Sequence, residues 1–282
     1  MNVTYDHLVL SSFLLWADNR LTKDGGGYVN TSSLFYPMNQ TYNGYYTYAS
    51  PYKQLVFDSS VPGATIMTGV YINGNFVSTG QSGLYNIDYN NGRLYFSTGV
   101  GSARISGNFA IKEFNTHLTT ESEIKLLLET KYEPRPKKDQ IPTGLNDDQQ
   151  TYPLVYIKQF QSYNEPYFFG GTQMTCMTIN MYVLADSQFK LQAVQSLLRD
   201  AHQRYIPILS VENQPFNSYG GLKSGYFNYT GASVGKIEAG SGLFVKKVMS
   251  TDFLNRRTTD LQDINPAVFK SYVQFELEHP RF

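Results

Sequence analysis

Cysteine is nearly absent from this chain of 282 residues: there is one, Cys176, so no internal disulfide can staple the fold. It lies in an alternating run and reads as a lone core thiol. An excess of either charge is also missing. Lys and Arg total 23 and Asp and Glu total 23, so no basic field invites nucleic acid or an anionic membrane. No apolar run is long enough to span a bilayer. The run Leu8–Ala17 falls well short of the roughly 20 residues needed. It has no basic residue before it and no small-residue cleavage site after it, so neither a signal peptide nor a membrane anchor is expected. What the chain has in quantity is tyrosine, 23 residues beside a single tryptophan, set among Asn, Ser, Thr and Gly. That mixture suits a β-rich protein with many tight turns, often an assembly subunit.

Catalytic patterns are missing as well. The four histidines, His7, His117, His202 and His279, share no metal-ligand spacing with one another or with Cys176. Asp88–Gly92 begins like a calcium loop, but Gly92 stands where a third oxygen ligand is required and Gly99 where the bidentate Glu should be. Gly235-Lys236 lacks the upstream glycine and the following Ser or Thr of a phosphate loop. Ser82 in GQSG is one residue short of a nucleophile elbow. No enzyme, metal or cofactor is expected from these residues. Four N-x-[ST] matches, at Asn2, Asn30, Asn39 and Asn228, are the chance yield of an Asn- and Thr-rich chain.

The expected class is α+β, with a β-rich N-terminal domain over 1–131, a linker or exposed loop over 132–151, and a second α+β domain over 152–282. Residues 4–22 read as a helix stopped by Gly25-Gly26-Gly27. Irregular Tyr-rich chain is expected to about Tyr52. A meander follows to Glu113, with hairpin turns at Asn73-Gly74 and Asn91-Gly92, since Asn-Gly tolerates the positive φ of a type I′ turn. Ala103–Ile105 and Phe109–Ile111 read as a strand bent at Gly107. Thr120 and Glu123 form a capping box ahead of a short helix. The stretch from Lys131 to Gln150, with three Pro and mixed charge, sets the linker.

The second domain is organised on Tyr152–Leu209. Leu154–Phe160 reads as a strand, Asn164-Glu165-Pro166 and Gly170-Gly171 as a turn, and Met174–Leu184 as a second strand with period 2. The period then changes. Asp186 or Ser187 caps a helix whose apolar stripe is Leu191, Val194, Leu198, Ala201 and Tyr205, running some 18 residues to Pro207. Leu243–Met249 and Val268–Glu278 close the chain as strands. The order of elements over 152–282 resembles the tail-terminator, or tail-completion, proteins of tailed bacteriophages. The resemblance rests on YPLVYI, the strand ending in LADS, the helix FKLQAVQSLLRDAHQRY, the IPIL exit, LFVKKV, Arg256-Arg257 and SYVQFELE.

That resemblance implies a virion protein assembled in the host cytoplasm. Its copies would form a ring, a homo-hexamer, that caps the tail tube and meets the head–tail connector. Tail tube or sheath protein would be its neighbours, and genomic DNA would pass the lumen without specific binding. Neutral net charge suits such a lumen, because cationic walls would hold the phosphates. Adhesion is expected in the loops Asn164–Gly171 and Gln214–Gly231, through Tyr167, Phe168, Phe169, Phe216, Tyr219, Tyr226, Phe227 and Tyr229. About half of these are expected to fold back onto their own domain. The other reading is a receptor- or glycan-binding module of a tail fibre or baseplate, to which the Tyr-rich loops lend themselves.

Overall fold

The computed structural model describes residues 5–122, 126, 152–167, 173–217, 223, 225–252 and 268–281. The linker over 132–151, Glu123 of the expected capping box, Gly170-Gly171 and Arg256-Arg257 lie outside them. The architecture is α+β, built on two sheets with few helices.

Helix α1, Tyr5–Asn19, opens the described chain and runs into a π-helical turn, Arg20–Asp24. The glycine triplet ends it as expected: Gly25 N–H returns to the Arg20 carbonyl and Gly26 takes φ +60°. Val9, Phe13 and Ala17, four residues apart, face one core, while Leu15 enters another.

The first sheet holds seven antiparallel strands in the order β4-β3-β7-β1-β2-β6-β5. They are β1 (Tyr28–Pro37), β2 (Tyr46–Ala49), β3 (Gly69–Ile72), β4 (Asn75–Ser78), β5 (Leu84–Asp88), β6 (Arg93–Phe96) and β7 (Ile105–Lys112). The stretch expected to be irregular contains β1 and β2. Their connection is tipped by Tyr42-Asn43-Gly44-Tyr45, with φ +50° at Asn43 and +82° at Gly44. It carries the same signal as Asn73-Gly74, where φ is +49° and +87° and the expected turn is present. The hairpin at Asn91-Gly92 differs from expectation. Only Gly92 has positive φ, and a four-residue loop is held by the Asp88 carboxylate, which accepts from the N–H groups of Asn90 and Asn91. Gly107 does not bend β7. It leaves room for Met67 and Phe35, whose atoms would lie 3.1 Å from an added Cβ.

The second sheet has six strands in the order β11-β12-β13-β10-β9-β8. They are β8 (Asn115–Leu118), β9 (Leu154–Pro166), β10 (Gln173–Ala185), β11 (Tyr205–Pro207), β12 (Gly242–Asp252) and β13 (Phe269–Arg281). Only β8 with β9 is parallel. The turn expected at Asn164 is strand, because β9 stays paired with β10 as far as Pro166 opposite Gln173. Two bulges interrupt the ladders. Phe160 is the extra residue of β9 and Lys246 that of β12.

Helix α2, Gln188–Arg199, is capped by Ser187, whose Oγ accepts from the Lys190 N–H at 3.3 Å. It is shorter than expected. Chain pairing takes over at its end: Gln203 N–H bonds the Val245 carbonyl and Val245 N–H the Arg204 carbonyl, so Tyr205 belongs to β11. Ala201 keeps its place in the core. A one-turn helix, α3, spans Tyr229–Ser233.

The cores do not follow the expected division of the chain. α1 and Phe114 pack with α2 and the second sheet, and β8 is that sheet's edge. In return Leu209 and Tyr229 enter the core of the first sheet. Chain from each half therefore completes the other's core.

Candidate interaction surfaces

The eight aromatic residues expected to carry adhesion divide sharply. Phe216 and Phe227 pack against the first-sheet core and Tyr229 is buried within it. The cause is local pairing. Phe227 N–H bonds the Phe57 carbonyl at 2.8 Å, the Phe227 carbonyl accepts from Ser59 at 2.7 Å, and the Tyr229 N–H donates to Asp58 Oδ1 at 3.0 Å. Burial also pushes the Tyr229 hydroxyl far up from its ordinary value. These three serve folding. Tyr167 and Tyr226 are exposed. Phe168, Phe169 and Tyr219 lie outside the described residues.

The two most exposed phenylalanines among the described residues are ones the loop argument passed over. Phe189, on the first turn of α2, is 83% exposed, and Phe160, at the bulge of β9, is 65% exposed. The sequence did carry a signal for Phe160. It stands alone between Gln159 and Gln161 once the continuous apolar run of Leu154–Ile157 has ended. From Phe160 to Pro166 every residue of β9 is exposed. Among the described residues no strand pairs with the outer side of Lys246–Asp252 in β12, or with the outer side of β8. Among the described residues, both edges of the second sheet therefore carry backbone groups that no strand pairs.

The two faces of this sheet differ. Val155, Ile157, Met177, Ile179, Met181 and Val183 look towards α1 and α2. The other face carries no described helix over Tyr163, Cys176, Glu278, Phe244 and Tyr205, which stand directly opposite one another across five strands. Burial raises the Cys176 thiol above its ordinary value, helped by Glu165 and Glu278, so it is a poor nucleophile. Glu278 Oε1 accepts from Lys246 Nζ at 2.7 Å. A cleft of about 350 Å³ opens beside this row, lined by Tyr205, Phe244, Glu278, Met174, Ile237 and Tyr167. A second cleft, about 330 Å³, lies between α2 and the Leu21–Gly27 turn, with Phe114, Val194 and Leu197 on its apolar floor.

Next to the Tyr205 cleft, the Tyr5 hydroxyl lies 2.6 Å from His279 Nδ1, with Arg281 stacked 3.8 Å over the Tyr5 ring. His279 Nε2 faces the Gly240 carbonyl at 3.2 Å. One tautomer satisfies both contacts, with Nε2–H donating and Nδ1 accepting, and burial lowers the pKa of His279 in the same sense. Among the described residues no three His, Cys, Asp or Glu side chains group to hold a metal ion. No helix among them is long and apolar enough to cross a membrane. Compared with protein-family models and with curated proteins, the chain matches none.

Proposed function

We propose that the chain is a structural subunit of a tailed-phage neck, joined copy to copy in a ring that caps the tail tube and meets the head connector. One observation carries the reading: the outer half of β9, Phe160–Pro166, stands exposed while still hydrogen-bonded to β10. Seven extended residues reach about 20 Å, and their pairing with β10 makes this stretch a rigid edge rather than a loose loop. Phe160, at the bulge where the exposed half begins, gives that edge an apolar contact of the kind that anchors an interface. The open edges of the same sheet support the reading further. Two different edges meeting copy to copy make a heterologous contact, which closes into a ring when the rotation permits.

Native mass spectrometry of the free protein, and of the protein mixed with tail tubes, tests this. A six-fold ring is expected, and Phe160→Asp should abolish it while leaving the fold intact, because the side chain is already in solvent. In phage, the same change should leave full heads and tails unjoined. A monomer under both conditions, or normal joining with Phe160→Asp, overturns the proposal. A stable trimer moves the protein to a fibre.

A further inference from the structure

The cleft beside Tyr205 and Phe244 has a composition that adhesion between rings does not require. Its floor is set by strand register. Tyr205 faces Phe244, Phe244 faces Glu278, and Glu278 faces Cys176, so their side chains form one row about 5 Å apart. Tyr205 keeps 53% of its surface exposed although its ring lies 5.2 Å from that of Phe244. The two rings meet at a tilt of 50°, and much of the Tyr205 ring stays free. Gly240 and Gly242 line the same cleft, with Tyr205 packed over Gly242.

The polar part is equally particular. Glu278 gives one carboxylate oxygen to Lys246, and its other oxygen has no hydrogen bond among the described residues. The exposed Lys246 ammonium beside it sets a donor next to that acceptor. Glu165, on the same face opposite Met174, adds a second carboxylate, so an anion gains nothing there. A ligand with adjacent hydroxyls can donate to the free Glu278 oxygen and accept from Lys246. The C–H face of the same ligand would lie on the free part of the Tyr205 ring. A volume of about 350 Å³ is at the small end for a ligand cleft and suits one ring at a time.

We infer that this cleft binds an uncharged pyranose, one residue of a glycan, stacked on Tyr205 and hydrogen-bonded by Glu278 and Lys246. The site does not use Phe160, the residue on which the test of ring formation rests.

Saturation-transfer NMR with the full chain tests it, using maltose, cellobiose, lactose and diacetylchitobiose as separate millimolar probes. At least one should receive saturation at its ring C–H protons. Tyr205→Ala should weaken that binding by about tenfold or more, the loss of one stacking contact and its buried area. Tyr205→Phe, which keeps the ring, should bind like the parent, and Glu278→Gln should bind less tightly. Retention of a pelleted host-surface polysaccharide then separates a polymeric source from free sugar. No transfer from any probe together with no polysaccharide binding overturns the inference, and so does transfer that survives Tyr205→Ala. A concentration-dependent mass increase lost in Tyr205→Ala also overturns it and gives the cleft to a second copy of the chain.

Discussion

Lys270 stands on β13 directly opposite Leu184, only 7% exposed, and its Nζ has no hydrogen-bond partner among the described residues. Around it are the apolar side chains of Leu184, Val268 and Tyr272, on the face that also holds Tyr182 and Leu154. Burial lowers its pKa from 10.5 to about 8. The folded protein then holds fewer protons than the unfolded chain between about pH 8 and 10.5, so this group makes stability rise with pH across that window. Near pH 7 the ammonium is charged, buried and unpaired, which is destabilising. Lys270→Met should therefore raise stability at pH 7 by about 1–3 kcal/mol. It should also flatten the rise towards pH 10. Urea unfolding at the two pH values checks both, and an unchanged or lower midpoint at pH 7 would show that the ammonium reaches water.

At the scale of elements, what was legible in the sequence was what local physics decides. The period-2 run of β10, the Ser187 cap, the glycine stop after α1 and the turn at Asn73-Gly74 each need only neighbours in the chain. The elements that were misread depend on distant partners. α2 ends at Arg199 because Gln203 and Arg204 pair with Val245, some 40 residues on. Phe227 and Tyr229 look like loop adhesives until Phe57, Asp58 and Ser59 are seen to hold them. Asn43-Gly44 was a different failure: the turn signal was present, but β1 and β2 on either side of it lack the apolar–polar alternation that marks a half-buried strand. The α2 stripe itself is a true core face, since Leu191 and Leu198 are buried against the second sheet. Leu198→Ala should cost about 2–5 kcal/mol. Leu198→Asp should prevent soluble folding, because the carboxylate would be desolvated without a partner. Thermal unfolding followed by circular dichroism measures the first change. A loss below about 1 kcal/mol would mean that α2 lifts from the sheet easily.

The whole molecule is held together by α1, which lies between two cores that the chain order would have kept apart. Phe13 packs edge-on to Phe275 of the second sheet at 5.1 Å, Leu15 enters the first core, and Trp16 packs against both. At the end of this helix Asp18 takes Lys112 Nζ on both carboxylate oxygens at 2.7 Å, and Thr116 Oγ1 donates to it at 3.2 Å. Lys112 ends β7 of the first sheet and Thr116 belongs to β8 of the second, so a single buried carboxylate ties the two sheets through the helix. The Lys112 ammonium also lies 4.7 Å over the Phe57 ring. Nearby Asn19 Nδ2 donates to Asp58 at 2.7 Å, and the same carboxylate holds Tyr229, which carries the tie on to α3. Replacing one member of such a pair strands the other. Asp18→Ala should cost about 3–5 kcal/mol, mostly from leaving Lys112 charged and unpaired in the interior. Asp18→Leu combined with Lys112→Met should recover most of that loss, because neither charge then needs solvating. The sharper expectation concerns cooperativity. If α1 couples the sheets, Asp18→Ala should lower the unfolding midpoints of both together. Two probes read this: Trp16 fluorescence for the junction, and proteolytic release of fragments for the separate halves. Coincident transitions in parent and variant fit one cooperative unit. Early loss of one sheet while the other survives intact would show that the halves stand alone and that Asp18 joins them without making either depend on the other.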